Sequence, residues 1–388
     1  MINVLIVMPL STLDFGSRSS GGVDSACQIL LDSLIQKNNL KFNYTIIAFN
    51  PFNDFEEEGK CSTLTKNIKI YQYNNKPNLK HRLIRPPGIV WQNYVIWKLV
   101  RKSKPKIFHT HLLSWQILPK KKTTTITTLH AYKKIGRSPV SKLNDLFYET
   151  IIPAISNKNI NYYTAVSHRL KNLALDSNKK ISVIYNPLPD KYSETDIRLE
   201  ENSKTDRINL VTCGNITKNK GIHHAIEILY KLHKKGISSH LNIIGGTTNN
   251  SYHAELREQI SKLNLKSNIT FHGKQPFEQI LKTYKESDYG LFLSAEETFG
   301  LVPIEMIACG LEVICSRVGI MDDLYNEFSE RQVKIVETID SSEIVEYIYK
   351  KGKCRLDEAK DYIIKNFSKE IISSEYEKLY ESVLISAK

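Results

Sequence analysis

The stretch whose reading decides the fold is DYGLFLSAEETFGLVPIEMIACGLEVICS, residues 288–316. Its apolar run from Tyr289 to Leu293 has the length of a strand, and Leu301 to Cys309 has the length of a short helix. Pro303 near the first turn and Gly310 just past the end punctuate that helix, and a second strand follows. The loop between carries Glu296 and Glu297 at the carboxyl end of a strand. Gly300 stands just before a helix amino terminus, where unpaired backbone N–H groups receive an anion. Carboxylates beside an anion cradle point to a charged, hydroxyl-rich ligand. Glu305 lies on the apolar helix itself, where a carboxylate needs a partner.

ETFGLVPIE (297–305) resembles the Glu, seven residues, Glu signature of retaining glycosyltransferases, above all glycosyltransferase family 4, and Ser294 and ACG (308–310) fit its context. The resemblance implies that Glu297 contacts the donor sugar and Glu305 grips the nucleotide ribose, with Thr298, Phe299, Gly300 and Leu301 forming the donor loop. A carboxylate accepts two hydroxyl hydrogen bonds of the stronger, charge-assisted kind. Spacing alone fits a surface helix with two solvated acids equally well, so the rest of the chain has to decide.

At 388 residues, the chain is long enough for two domains with separate cores, and its 41% hydrophobic content is that of a soluble globular protein. Met1 to Leu10 is apolar but lacks a basic leader, so it reads as a first buried strand and not a signal peptide. No other stretch reads as a bilayer span. The six cysteines are scattered without metal-ligand spacing, which suits a reducing cytoplasm. The net charge of +13 is uneven: residues 1–200 hold 29 Lys and Arg against 14 Asp and Glu, and the remainder holds 25 against 27. Between Glu58 and Asp145 there is no acid among 19 basic residues, which include RKSKPK (101–106) and KKK (120–122). Such a field serves an anionic membrane leaflet or a polyanionic substrate, or simply solubility. A nucleic acid is not expected, because no recognisable binding module or aromatic-rich stacking surface accompanies the charge.

Strands and helices alternate through the first half. NVLIVMP (3–9), a glycine turn with an amphipathic helix (17–36), and NYTIIAF (43–49) form a βαβ unit. Gly21 and Gly22 are a weak phosphate signal in themselves, and in the resemblance they match a glycine pair across the cleft from the donor. KIFHTHLL (106–113), TTTITTLHAY (123–132) and NYYTAVSHRLKNLAL (161–175) each read as a strand followed by a loop or helix. His109 and His111 share one side of a strand, a geometry that suits a metal. No cysteine or third acid lies close in sequence to complete such a site, so the reading expects no metal and places both histidines at a strand end lining a cleft. His130 closes its strand where the resemblance places a histidine reaching the donor sugar near its reacting carbon.

The domains are expected at 1–190, with a returning helix at 368–388, and at 208–367, joined by a polar linker at 191–207. INLVTCGNITKNKGIHHAIEILYKL (208–232) reads as a strand, a loop holding Gly214 and Gly221, and an amphipathic helix. The resemblance puts an Arg after the first glycine and a Lys before the second, both on the donor diphosphate; Lys220 is present, and Asn215 stands in the Arg position with a neutral amide. Gly245, His272 and Gly273 fall where relatives seat the base. The last helix carries a stripe of Ile371, Ile372, Tyr376, Leu379, Tyr380 and Val383.

The expected architecture is α/β: the GT-B fold, two Rossmann-like domains facing across a cleft. The expected activity is metal-independent, retaining transfer of a hexosyl or N-acetylhexosaminyl group from a UDP-sugar to a glycan or lipid-linked acceptor, in envelope polysaccharide or glycoconjugate assembly. No cofactor is expected, the nucleotide-sugar being a substrate, and no Asp-x-Asp metal motif occurs. The protein is expected in the cytoplasm, at the inner leaflet through its basic half. A nucleotide-sugar epimerase and a non-catalytic binding relative are the competing readings, the second favoured by Asn215.

Overall fold

A computed structural model describes residues 1–14, 16–77, 86–118, 122–132, 145–174, 179–192, 207–247, 250–329, 333–352 and 357–386. The chain divides into two compact units, Met1–Pro187 with Lys369–Lys388, and Leu188–Ser368.

The first unit holds an eight-stranded sheet of β1 (Ile2–Pro9), β2 (Phe42–Asn50), β3 (Cys61–Thr65), β4 (Ile68–Asn74), β5 (Ile107–Thr110), β6 (Thr124–Leu129), β7 (Tyr162–Ala165) and β8 (Lys180–Val183), in the order β3-β4-β2-β1-β5-β6-β7-β8. Strands such as VLIVM are apolar at every position because both faces are covered, as parallel sheets require. Along β1, Val4, Ile6 and Met8 pack toward α1 (Gly22–Gln36) and the carboxyl-terminal helix, while Leu5 and Val7 pack toward α2 (Gly88–Ser103). The edge strand β3 pairs antiparallel with β4, a hairpin that the sequence reading did not anticipate.

The second unit holds a wholly parallel sheet of β9 (Ile208–Cys213), β10 (Ser239–Ile244), β11 (Ile269–Gly273), β12 (Tyr289–Phe292), β13 (Glu312–Ser316) and β14 (Lys334–Val336), in the order β11-β10-β9-β12-β13-β14. Helix α3 (Ile222–Lys234) buries Ile222, Ala225, Ile226, Ile228, Leu229 and Leu232, and α4 (Leu301–Ala308) follows β12. In both sheets the chain turns away on one side of a strand and later returns on its other side, between β1 and β5 and between β9 and β12. The loops at such a reversal part at the carboxyl ends of the strands, and the gap is where open α/β sheets hold ligands.

The boundary read at residue 190 lies at 187. Leu188 donates its N–H to Phe367 and bridges to Ser368, and Tyr192 is buried, so 188–192 pack with the second unit. Residues 193–206 of the expected linker, and Lys120 and Lys121, lie outside the described residues. The last helix, α5 (Lys369–Ser386), buries Ile372, Tyr376, Tyr380 and Val383, but Ile371 is exposed and leaves the stripe. No helix among the described residues is long and apolar enough to cross a membrane.

Candidate functional site

At the reversal in the second sheet, the loop after β9 and the loop after β12 are stitched together. The Ala295 N–H donates to the Asn219 carbonyl at 2.8 Å, and Asn219 Nδ2 donates to the Glu296 carbonyl at 2.8 Å. Gly221 has φ 65°, and a Cβ there would come within 2.0 Å of the Leu293 carbonyl oxygen, so the first loop approaches this closely only as glycine. The seam brings Lys220 and Glu297 together, 77 residues apart in sequence, and Lys220 Nζ donates to Glu297 Oε1. The lysine stem passes over Gly214, where an added Cβ would lie 3.5 Å from its Cε, and its ammonium lies 5.8 Å from the Phe292 ring centre. Gly300 caps α4 with φ 85°, and Gly319 lets the Phe299 carbonyl approach and accept from the Ile320 N–H at 2.7 Å. A partly buried cation, a carboxylate and a helix amino terminus thus meet at the carboxyl end of the sheet, beside its two central strands.

Several expected donor residues also hold the loops together. The Phe299 ring is buried and tilted against Phe367, so its side chain packs within the unit. Gly245 is glycine because the Gly214 carbonyl oxygen would lie 1.8 Å from any Cβ. Its N–H donates to the Gly273 carbonyl at 2.8 Å, and His272 Nε2 lies 2.9 Å from Asn242 Oδ1. Asn215 and Lys218 are exposed, while Thr298 and Leu301 are half-buried. The Ser294 hydroxyl, at the end of β12, is buried without a hydrogen-bond partner among the described residues.

The partner that Glu305 needs is Tyr192, whose hydroxyl donates to the carboxylate. Burial pushes the Glu305 carboxyl up to about 7, and the tyrosine hydrogen bond opposes that shift. Tyr192 stood in the expected linker and carried no sequence signal.

In the first unit, β5 and β6 run parallel with Thr110 opposite Thr127, so the residues just past their ends meet. His111 Nδ1 lies 3.0 Å from His130 Nε2, and the two rings stack. His109 does not line a cleft. It is fully buried within the sheet, its ring nitrogens 2.7 Å from the Tyr380 and Thr128 hydroxyls, and burial lowers its pKa to about 3. His111 and His130 are buried too and held neutral by desolvation, His130 with a pKa lowered to about 4. Cys27, on α1 and 84 residues before His111 in sequence, offers its Sγ within 4.8 Å of a ring nitrogen of each of His111 and His130. Gly21 caps α1 with φ 151° and open space where a Cβ would stand.

Residues 193–369 match the family model of glycosyl transferases group 1, a span that coincides with the second unit. The second unit belongs to that family. The chain is a glycosyltransferase. It is 25% identical over 273 residues to N-acetyl-alpha-D-glucosaminyl L-malate synthase of Bacillus anthracis, covering 67% of this chain and 68% of that one. It is also 25% identical over 250 residues to the O-antigen chain mannosyltransferase RfbU of Salmonella typhimurium, covering 62% and 65%. Among solved structures, Anabaena HepE in complex with UDP aligns over 98% of this glycosyltransferase and 100% of its own chain, with a TM-score of 0.68 at 16% identity. The likeness makes the fold GT-B, with two Rossmann-like domains.

Proposed function

We propose that this glycosyltransferase moves a sugar from a UDP-linked donor to a glycan or lipid-linked glycan acceptor with retained anomeric configuration. The observation that carries the reading is the convergence of Lys220, Glu297 and the amino terminus of α4 at the β9–β12 reversal. Lys220 and backbone N–H groups neutralise the donor diphosphate in place of a metal, Glu297 contacts the sugar as positive charge develops, and Glu305 receives the ribose hydroxyls. A leaving phosphate oxygen takes the acceptor's proton, so no protein nucleophile is needed. The UDP bound by HepE and the O-antigen chain named for RfbU support the choice of donor and acceptor class. L-Malate, named for the Bacillus enzyme, marks how far acceptors vary among relatives.

The test is transfer from a panel of UDP-sugars in EDTA, with product configuration read by NMR and UDP affinity by calorimetry. Lys220→Ala should weaken UDP binding about tenfold or more, while Glu297→Ala should leave UDP binding close to the parent and lower kcat by on the order of 100-fold. Unchanged kinetics in both variants, or an inverted product, would remove the assignment. Release of free sugar without an acceptor would favour an epimerase.

Acceptor contact is proposed for the first unit, with an anionic leaflet as its docking surface. Val90, Tyr94 and Trp97 on α2, with Leu118, Phe147 and Ile155, line an apolar groove of about 600 Å³, and Val90, Tyr94, Trp97, Leu118 and Ile155 are exposed. Arg101 continues the same helical stripe, its guanidinium 4.7 Å from the Trp97 ring centre. Exposed apolar surface bordered by cations fits the acyl and headgroup layers of an anionic membrane.

A further inference from the structure

We infer that Cys27, His111 and His130 form a binding site for a borderline-soft divalent cation of the zinc class. The three side chains come from α1 and from the residues after β5 and β6, at the carboxyl end of the sheet beside its β1–β5 reversal. One ligand atom from each lies within 4.8 Å of the others, and all three residues are buried. Tetrahedral zinc, with sulfur at about 2.3 Å and nitrogen at about 2.0–2.1 Å, separates its ligand atoms by about 3.3–3.6 Å, so small side-chain rotations complete the set. His111 and His130 already stand 3.0 Å apart, nitrogen to nitrogen.

Two further observations point to a cation. His111 Nε2, the ring nitrogen that does not face His130, is buried without a hydrogen-bond partner among the described residues, an unusual state for an imidazole nitrogen. Asp24, also buried and close enough to bear on the Cys27 thiol, accepts from the Ser11 and Ser20 N–H groups and Gln28 Nε2, all neutral donors. A dication adds to the Arg18 guanidinium in offsetting the negative charge of Asp24, and offsets that of a Cys27 thiolate. Binding expels the thiol proton to solvent. The imidazoles are already neutral and keep one proton each, moved to whichever nitrogen stays off the metal. One thiolate and two imidazoles suit zinc and its cobalt surrogate and disfavour magnesium, which demands oxygen. A bound water fills the remaining position.

The experiment titrates the metal-stripped full chain with Co²⁺ and follows its absorption spectrum, then repeats the titration with Zn²⁺ against a chromophoric chelator. The expected result is one equivalent of cobalt with a near-ultraviolet thiolate-to-metal charge-transfer band, displaced by zinc. Cys27→Ser should lose that band and weaken cobalt binding by about tenfold or more, the least that loss of a direct ligand costs when second-shell changes cost 10–100-fold. His111→Gln should weaken binding and keep the band at saturation. Absence of the charge-transfer band in the parent protein, which involves no substitution and hence no risk of misfolding, would overturn the site. So would a titration that Cys27→Ser leaves unchanged.

Discussion

Glu305 shows at the scale of a single residue what a spacing can and cannot convey. Its place on an apolar helix made a partner necessary, but the partner, Tyr192, arrives from 113 residues upstream in a polar stretch where no pattern marks it. Its charge state follows from enclosure. The folded pKa of about 7 lies above the ordinary 4.5, so Glu305 contributes stability that is complete below 4.5 and is lost as pH rises through 7. Ribose hydroxyls bind a carboxylate more strongly than a carboxylic acid, so UDP affinity should rise between pH 6 and 8, by up to about tenfold where ionisation is the limiting step. The terminal phosphate of UDP titrates in the same range, and therefore the informative quantity is the difference between the parent and Glu305→Gln. Calorimetry at several pH values should show a steeper rise in the parent; equal slopes in both proteins would remove Glu305 from the ribose site. The Lys220–Glu297 pair was legible only through its motif, because the seam that joins the two residues is built from the Asn219 side chain and from backbone groups of Asn219, Ala295 and Glu296, which leave no mark in the sequence.

Elements were legible where periodicity reports burial and illegible where hydrogen bonds decide the details. The stripe on α5 announced its packing, but not that two of its tyrosines end in polar contacts. Tyr380 meets His109 at 2.7 Å, and Tyr376 meets Thr128 at 3.2 Å. The same helix sends Glu377 to Lys37 Nζ at 2.7 Å and to the Tyr44 hydroxyl at 3.2 Å. An alternating His-Thr-His read as a ligand-facing strand because strand periodicity gives a face and not its surroundings; the surroundings are a helix from the other end of the chain. Tyr380→Phe keeps the ring and strands a buried His109 nitrogen, which should cost about 1–3 kcal/mol in urea denaturation. His109 has a folded pKa near 3, below its ordinary 6.5, so the neutral form that folding requires is undisturbed above 6.5 and its contribution falls as pH drops toward 3. The loss in Tyr380→Phe should therefore be measured at pH 7.5, above the ordinary pKa of His109, and a midpoint equal to the parent's would show that the contact contributes nothing.

The fold of the whole molecule could be read from alternating strands and helices and from two glycine-marked loops, because parallel sheets covered on both faces write themselves as apolar runs. Its charge asymmetry was equally plain, whereas the apolar groove beside the charge was not: Val90, Tyr94 and Trp97 lie on a helix that the sequence reading did not single out, and Phe147 and Ile155 come from a segment some fifty residues on. The two features make different demands on a membrane. Arg101, Lys102, Lys104 and Lys106 attract an anionic leaflet by about 1 kcal/mol each, over a Debye length of roughly 8–10 Å at moderate salt, and the attraction fades as salt rises. Tyr94 and Trp97, 52% and 40% exposed, insert without regard to salt once the surface is reached. Sedimentation with vesicles should thus show binding to anionic and not to neutral lipid. Replacing the four basic residues by Gln should abolish capture at low salt, while Tyr94→Ser with Trp97→Ser should spare initial low-salt binding and remove the fraction that survives a high-salt wash. If the parent and both variants partition equally onto neutral and anionic vesicles at every salt concentration, the groove and the basic stripe do not face lipid, and a soluble polyanionic acceptor is left as the partner for this charge.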